Sequence, residues 1–238
     1  MPRLDVLVTR SGLAESRERA QALIIAGKVR VAGETVRRPD RSVSDDATIS
    51  VEEGPRYASR GALKLAPALE TLGVDPAGLV CADIGASTGG FTDVLLRRGA
   101  TRVYAIDVGR GLLHWRLRSD PRVIVIERVN ARELETLPEP VSLFVVDISF
   151  IGLEKVLPAL RRVAPGAEVV ALFKPQFQVG RAEVGKGGIV RDQVAIEAAL
   201  QRFREWCAAN GYAVRAEAPS ELPGADGNQE IFIDLVPK

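Results

Sequence analysis

Five short, continuous runs of apolar residues dominate the middle of the chain. The runs are rich in valine, isoleucine and leucine, and they occupy residues 79–84, 102–108, 122–126, 141–147 and 168–174. Strands that are covered by helices on both faces have this composition, whereas half-exposed strands alternate apolar with polar residues. Segments of helical periodicity lie between and after the runs, as at 92–98 and 194–210. The pattern predicts an α/β fold with a doubly wound, mainly parallel sheet.

The N-terminal part of the chain has a different pattern. A short apolar element at residues 4–8 is followed by a helix that we predict from Ser16, a favoured N-cap, to Gly27, a favoured helix end. Residues 28–36 alternate apolar with polar positions around a central glycine, which predicts a β-hairpin. Another strand is predicted at 46–51. Helices and strands of this length indicate a small α+β module.

Polar and helix-breaking residues at 52–55 separate the two patterns. We therefore predict a small domain over residues 1–55, a connection at 56–60 and a larger domain over 61–238. With 238 residues, of which 46% are hydrophobic, the chain is long enough for two separate cores.

Composition excludes several classes of protein. No run approaches the roughly 18 apolar residues of a membrane span, and no signal-peptide stretch begins the chain, so we expect a cytoplasmic protein without membrane contact. The two cysteines, Cys81 and Cys207, fit no metal-binding spacing and are expected to be buried thiols. The single histidine, His114, argues against multi-histidine metal sites and histidine-dependent triads. We therefore expect no metal site.

Positive charge is concentrated near the N-terminus, although the net charge of the chain is only +1. Residues 1–44 contain eight arginines and one lysine against five acidic residues. On charge alone, this surplus fits a phosphate backbone and a solvated helix face equally well. However, residues 3–7 and 16–33 resemble the S4 RNA-binding domain nearly position by position. The resemblance implies that this module binds structured RNA. The cationic positions that it carries over are Arg3, Arg17, Arg19 and Lys28.

A glycine-rich turn, AspIleGlyAlaSerThrGlyGlyPhe at 83–91, follows the first run of the larger domain. Its glycines permit a tight turn and let a ligand approach the backbone and the next helix. Asp107 ends the next strand, where a carboxylate can bind ribose hydroxyls; a turn-capping aspartate is the alternative. The leading acid and the glycine spacing resemble motif I of S-adenosylmethionine-dependent methyltransferases. This implies S-adenosyl-L-methionine as the cofactor. The resemblance also implies that Asn130, after the third strand, lies near the adenine; a simple turn asparagine is the alternative. The positions assigned to the cofactor are Asp83, Gly85, Ser87, Thr88, Gly89, Phe91, Asp107 and Asn130.

Four residues of the larger domain are suited to handling the proton of a sugar hydroxyl. They are Lys64, Asp147, Lys174 and Glu230. A neutral hydroxyl is a poor nucleophile, so methyl transfer to it requires a base. Lys174 can serve where burial and a neighbouring cation such as Lys64 favour its neutral form. Asp147 and Lys174 end adjacent predicted strands, where open α/β sheets hold their sites. Each of the four also has a plain structural reading, which for Glu230 is a position near an edge strand.

Further motifs of the chain occur in a recognisable order. They are SerArgGlyAlaLeuLysLeu, the turn at 83–91, ValValAspIleSerPheIle, PheLysProGlnPhe, GlyLysGlyGlyIleValArgAsp and GlyAsnGlnGluIlePhe. With the S4 pattern they resemble the TlyA family of rRNA 2'-O-methyltransferases, which is related to FtsJ-type enzymes and sometimes labelled hemolysin A. The resemblance implies methylation of a cytidine ribose in ribosomal RNA, with the four proton-handling residues as the catalytic set. Because the chain extends little beyond the matched motifs, it resembles a shorter type of the family, for which large-subunit RNA is the implied target.

Two other functions are compatible with the sequence. One is an RNA-binding ribosome-assembly factor that keeps the fold without turnover, and the other is a membrane-active hemolysin, which only the family label suggests. The lack of a membrane span or a long amphipathic basic helix argues against the hemolysin. The GlyLysGlyGly segment at 185–188 fits either a flexible lid or a plain connection.

Overall fold

The structure, a computed structural model, describes residues 1–52 and 57–238. The chain divides into two compact units, Met1–Arg56 and Tyr57–Lys238. Most of the boundary predicted at 52–55, together with the first residue of the predicted connection, lies outside the described residues. Within the described ranges, no helix has both the length and the hydrophobicity needed to cross a membrane.

The N-terminal unit contains two helices and a small sheet. The helices are Leu4–Arg10 (α1) and Arg17–Ile25 (α2), and the strands are Val29–Val31 (β1), Glu34–Val36 (β2) and Ile49–Val51 (β3). The strand order is β2-β1-β3, and both pairings are antiparallel. Ala32 and Gly33 form the two-residue turn of the predicted hairpin, and both have positive φ angles, as tight hairpins of this twist require. The hairpin is therefore confirmed, whereas the first apolar element proves to be a helix.

Local signals explain where α2 begins and ends. The Ser16 hydroxyl accepts a hydrogen bond from the Arg19 backbone N–H at 3.2 Å, which confirms the predicted N-cap. At the other end Ala26 is the C-cap, and Gly27 follows with a φ of +73°. Gly27 thus lies one residue beyond the predicted position, where a left-handed backbone ends the helix. Leu4 and Ile24 are among the buried residues that join the helices to the sheet.

The C-terminal unit consists of a seven-stranded sheet between two layers of helices. Its helices are Ala62–Leu72 (α3), Gly90–Arg97 (α4), Trp115–Arg118 (α5), Leu157–Val163 (α6) and Gln193–Ala209 (α7). Its strands are Val80–Ile84 (β4), Arg102–Asp107 (β5), Val123–Glu127 (β6), Leu143–Val146 (β7), Glu168–Phe173 (β8), Tyr212–Pro219 (β9) and Ile231–Pro237 (β10). The strand order is β6-β5-β4-β7-β8-β10-β9.

The five predicted core strands form the parallel part of this sheet, which confirms the predicted fold class. The last strand extends the sheet beyond its parallel part. β10 pairs antiparallel with β8 on one side and with β9 on the other, so it lies inside the sheet. Glu230, for which a position near an edge strand was the plain structural alternative, precedes β10, and β9, which the apolar pattern did not predict, forms the edge next to it.

Two hydrophobic cores cover the faces of the sheet. Leu65 of α3 and Leu95 of α4 belong to the core on one face, and Leu160 of α6 and Phe203 of α7 belong to the core on the other. This explains why the parallel strands are apolar throughout. Both cysteines are buried, one in each core, and burial raises the pKa of each thiol to about 12. The expectation of buried thiols is confirmed.

Candidate active site

Two ion pairs lie at the carboxyl ends of the central strands in the C-terminal unit. The first joins residues that follow adjacent strands, Asp147 after β7 and Lys174 after β8. The Lys174 Nζ lies 2.5 Å from an Asp147 carboxylate oxygen and donates a hydrogen bond to the Ser149 hydroxyl at 3.0 Å. The Lys174 side chain is only 10% exposed, and Asp147 is more accessible. One end of the lysine is thus fixed by two oxygen atoms.

The second ion pair joins α3 to the start of β10. The Lys64 Nζ donates to a Glu230 carboxylate oxygen at 2.7 Å, and both side chains are largely buried. Gly224 leaves room for this carboxylate, since a Cβ atom there would lie 2.5 Å from the other Glu230 oxygen. The interior position of β10 accounts for the burial of Glu230.

Both ion pairs contribute a residue to the lining of one cavity. It has a volume of 740 Å³, and Lys64, Asp147, Asp83 and Arg60 are among the residues that line it. Lys174 and Glu230 are each held by one of the lining residues, Asp147 and Lys64 respectively. The structure therefore groups the four residues predicted for proton handling around a single cleft.

The glycine-rich turn forms part of the wall of this cavity. The backbone N–H groups of Gly85 and Ala86 donate to the Ile106 carbonyl, which ties the turn to β5. Gly85 has a φ of +83°, and a Cβ atom there would overlap the carbonyl oxygen of Asp147. Only glycine fits this approach of the turn to the end of β7. The turn is thus placed beside the first ion pair.

Asp83, the acid that begins the turn, is fully buried and half satisfied. One carboxylate oxygen accepts from the Thr92 N–H at 2.9 Å and from the Thr92 hydroxyl at 2.7 Å. The other oxygen has no hydrogen-bond partner among the described residues, although Asp83 lines the cavity. Burial raises the pKa of Asp83 to about 7, and the nearby charge of Asp147 adds to this, while the Thr92 hydrogen bonds oppose it. A ligand that brings a cationic N–H group would satisfy the remaining oxygen.

A second cavity of 430 Å³ adjoins the first, since Gly85, Ser87 and Asp147 line both. Asp107 and Asn130 also line the second cavity. Its apolar wall includes Leu112, Ile148 and Phe150. A mostly apolar pocket with a few polar groups is suited to a nucleoside.

Asp107 and Asn130 make the turn contacts that were the alternative to cofactor binding. The Asp107 carboxylate accepts from the Ser87 N–H at 2.8 Å and the Gly109 N–H at 2.6 Å. The Asn130 side chain accepts from the Arg132 N–H at 3.2 Å. Each residue thus orders a local turn and also faces the second cavity.

Of the remaining residues predicted for the cofactor, two line the first cavity and one is packed against a neighbouring helix. Thr88 and Phe91 line the first cavity. Gly89 lines neither cavity, and a Cβ atom there would overlap the Leu117 side chain of α5. Its φ of +93° and this contact give Gly89 a role in folding the turn.

Three further residues at the site were not singled out from the sequence. Ser149 holds Lys174, and Phe150 is 87% exposed beside the second cavity, with a φ of +71°. Asn228 is 2% exposed; its oxygen accepts from the Val190 N–H and its nitrogen donates to the Gly188 carbonyl, both at 2.9 Å. All three lie within quoted motifs, which is the signal that could have found them.

The Asn228 contacts also bear on the glycine segment at 185–188, for which a lid and a plain connection were both considered. Asn228 ties the end of this segment to the loop that leads into Glu230. In this structure the segment is therefore attached to the site.

The four cationic residues that were predicted to bind RNA differ in their contacts. Arg3 and Arg17 both pair with the buried Asp5, and their own side chains remain 46% and 50% exposed. Lys28 instead pairs with Glu52 at 2.9 Å. The Arg19 residue is exposed on α2.

The described residues contain no group of three or more histidine, cysteine, aspartate or glutamate side chains that could hold a metal ion.

Comparison with known proteins gives consistent matches. The model of the FtsJ-like methyltransferase family matches residues 57–235, and that of the S4 domain matches residues 2–49. The chain is 48% identical to the 16S/23S rRNA (cytidine-2'-O)-methyltransferase TlyA of Mycobacterium tuberculosis, over 98% of this chain and 89% of the relative. It is 38% identical to the 23S rRNA (cytidine-2'-O)-methyltransferase TlyA of Campylobacter jejuni, over 74% of this chain and 69% of the relative. A solved structure from Streptococcus thermophilus, named "putative hemolysin", shares 40% identity with a TM-score of 0.75, over 99% of this chain and 88% of that chain.

Proposed function

Because the chain belongs to the TlyA family of FtsJ-like methyltransferases, we propose that it methylates the ribose 2'-hydroxyl of a cytidine in ribosomal RNA. The enzyme depends on S-adenosylmethionine, as its family does. The observation that carries the proposal is the pair of buried lysine–carboxylate contacts around one cavity, next to the glycine-rich turn.

The residues of the turn fit S-adenosylmethionine. The unpartnered oxygen of Asp83 is suited to the ammonium group of the methionine part, and Gly85 allows a close approach to the backbone. Asp107 and Asn130 face the cavity that suits the adenosine part. When bound, the cofactor supplies an electrophilic methyl group.

We assign the proton transfer to Lys174. Lys174 first releases its ammonium proton to solvent, and the neutral Nζ then accepts the proton of the 2'-hydroxyl, so that the oxygen becomes a competent nucleophile. Asp147 and Ser149 fix the position of this nitrogen. The Asp147 carboxylate also stabilises the ammonium ion that proton transfer produces.

Lys64 and Glu230 complete the site in this proposal. Lys64 lines the cavity and offers N–H donors to the ribose oxygens of the substrate, while Glu230 holds its side chain in place. The charge of Glu230 also offsets that of Lys64, which limits repulsion between the two lysines.

The N-terminal unit is assigned to RNA binding. The half-exposed guanidinium groups of Arg3 and Arg17, together with Arg19 and Lys28, are suited to phosphate groups. S4 membership of residues 2–49 supports this assignment.

We further propose that the target lies in large-subunit RNA. The names of both curated relatives include 23S rRNA, whereas only one includes 16S rRNA. The modification would then take place in the cytoplasm, on the ribosomal subunit or its RNA.

Mapping of ribose methylation tests the proposal. Unmodified large and small subunits are incubated with the protein and S-adenosylmethionine, and 2'-O-methyl groups are mapped in both RNAs. We expect one new methylated cytidine in 23S rRNA, and its absence with Asp147→Ala but not with the exposed control Asp75→Ala. A new site in 16S rRNA would refute the large-subunit restriction. Binding of subunits without any methylation would favour an assembly factor that lacks turnover.

A further inference from the structure

Asp5, in the first turn of α1, is a buried carboxylate surrounded by donors. Its side chain is 0% exposed. Arg3 donates to both of its oxygens, from Nε at 3.1 Å and from Nη2 at 3.0 Å. Arg17, at the start of α2, donates from Nε at 3.0 Å, and Gln21 donates from its side-chain nitrogen at 2.7 Å. The Val6 backbone N–H adds a further bond at 2.9 Å.

These contacts use the acceptor capacity of the carboxylate. Two ionised oxygens offer about four lone-pair sites, and five N–H groups approach them here. The Arg3 guanidinium, assisted by Gln21 and Arg17, holds the pKa of Asp5 well below its usual range. Asp5 is therefore a permanent anion that sits between two cations.

The contacts also restrict the two arginines. An arginine side chain loses much rotational freedom when a partner fixes it, and Asp5 fixes both while they are still half exposed. Each guanidinium has five N–H bonds, of which Asp5 takes two from Arg3 and one from Arg17. The other edges of both planar groups are thus oriented before any ligand arrives.

We propose that Asp5 is a positioning residue for RNA binding: it holds Arg3 and Arg17 as a preformed pair of guanidinium groups for adjacent RNA phosphates. This inference rests on the proposed binding of ribosomal RNA by the N-terminal unit. Fixed, planar forks recognise phosphate oxygens through two parallel hydrogen bonds, which freely rotating cations do less well.

A positioning role for Asp5 predicts the opposite change in RNA affinity from the one that net charge alone predicts. Removal of an acidic residue from a cationic surface should strengthen its attraction to RNA. If Asp5 positions the arginines, its removal weakens binding despite the added positive charge. The same unit offers a matched control in the exposed pair of Arg10 and Asp45, whose side chains are 58% and 63% exposed.

The experiment measures the affinity of the full chain for unmodified large ribosomal subunits, with Asp5→Asn compared to Asp45→Asn. We expect Asp5→Asn to weaken binding about tenfold, and Asp45→Asn to leave it within about twofold or strengthen it. In methyl-transfer assays Asp5→Asn should raise KM for the subunits and leave kcat unchanged, because the chemistry occurs in the other unit. Unchanged or tighter binding by a folded Asp5→Asn protein overturns the proposal.

A second comparison decides the matter if Asp5→Asn unfolds the N-terminal unit. Arg17→Lys keeps the charge but lacks the fixed fork, so we expect about fivefold weaker binding, whereas Arg10→Lys should bind like the wild type. Equal binding by both lysine variants also overturns the proposal.

Failure of the proposed function has a different signature. If Arg17→Gln binds as tightly as the wild type, the N-terminal unit is not the RNA-binding surface that we propose. If Arg17→Gln weakens binding and Asp5→Asn does not, only the positioning role of Asp5 fails.

Discussion

Asp5 of the N-terminal unit and Asp83 of the C-terminal unit are both fully buried, and they differ in how their carboxylates are satisfied. Asp5 accepts five hydrogen bonds, three of them from arginines, and its pKa is lowered. Asp83 accepts two hydrogen bonds, both on one oxygen, and burial raises its pKa to about 7. A satisfied carboxylate organises its neighbours, whereas a half-satisfied one retains binding capacity for a ligand. The first arrangement suits a rigid RNA-binding surface and the second suits a cofactor site.

The largest expected effect tests whether the chemistry belongs to the unit that contains Asp83. Lys174→Ala removes the proposed base, so the rate of methyl transfer should fall by about 10²- to 10⁴-fold. Affinities for subunits and for S-adenosylmethionine should change little. Single-turnover methyl transfer and separate binding assays measure these quantities, with the exposed Lys155→Ala as the control. Retention of full activity would remove Lys174 from the mechanism.

The next prediction contrasts the two aspartates directly through cofactor binding. Asp83→Asn deletes the charge that we assign to the methionine ammonium, so affinity for S-adenosylmethionine should fall by about 10- to 100-fold. Calorimetric titration of the full chain measures it. Asp5→Asn should leave this affinity unchanged, and equal losses in both variants would break the contrast.

The pH dependence of folding should also separate the two residues. The folded-state pKa of Asp83, about 7, lies above its unfolded value of about 3.9, so its contribution to stability is fully present below the unfolded pKa and is lost as the pH rises from there to about 7. Relative to the wild type, Asp83→Asn should therefore gain roughly 2 to 3 kcal/mol between pH 5 and pH 8, at about 1.4 kcal/mol per pKa unit. Asp5 has a lowered pKa, so Asp5→Asn should be destabilising at both pH values. Denaturant unfolding without cofactor is the measurement, and a pH-independent difference for Asp83→Asn contradicts the prediction.

Asn228 extends the comparison to a neutral group, because it is buried and satisfied, like Asp5, but lies in the catalytic unit. Asn228→Ala removes both contacts to the segment that ends at Val190, so kcat should fall about tenfold through displacement of Glu230. Cofactor affinity should be retained. The exposed Asn210→Ala is the control. A wild-type kcat in Asn228→Ala would show that the segment and Glu230 are independent.

The smallest expected effect concerns salt. Arg17→Gln should lower the slope of log affinity against log salt concentration by about one unit, as loss of one phosphate contact does. Binding to large subunits across a salt series measures the slope. An unchanged slope would show that Arg17 does not contact RNA phosphates. It would thereby contradict the RNA-binding role that we assign to the N-terminal unit.

The sequence predicted the parallel core well because buried strands are continuous apolar runs. It did not predict β9, where Arg215 and Glu217 interrupt the apolar pattern of a half-exposed edge strand. The predicted hairpin and the Ser16 cap were correct because both depend on local residues.

The site was predictable in composition but not in pairing. The motifs pointed to the four proton-handling residues through family resemblance, yet Lys64 and Glu230 are 166 positions apart, so no local pattern indicates their contact. Likewise, the unpartnered oxygen of Asp83 and the support by Asn228 depend on tertiary packing. The catalytic roles of the four residues and the binding role of Asp83 are proposals, which the variants described above test.

The interior position of β10 has a consequence for how the enzyme reaches its active state. β10 pairs with β8 and β9 at once, and β8 precedes it by more than fifty residues. Contacts between distant residues form slowly because long loops must close first. The Lys64–Glu230 contact joins residues 166 positions apart, so the cleft is expected to be completed late, when the β9–β10 hairpin has paired with β8 and Glu230 has reached Lys64. In refolding experiments, methyl-transfer activity should return with the slowest structural phase, and earlier recovery would contradict this order of assembly.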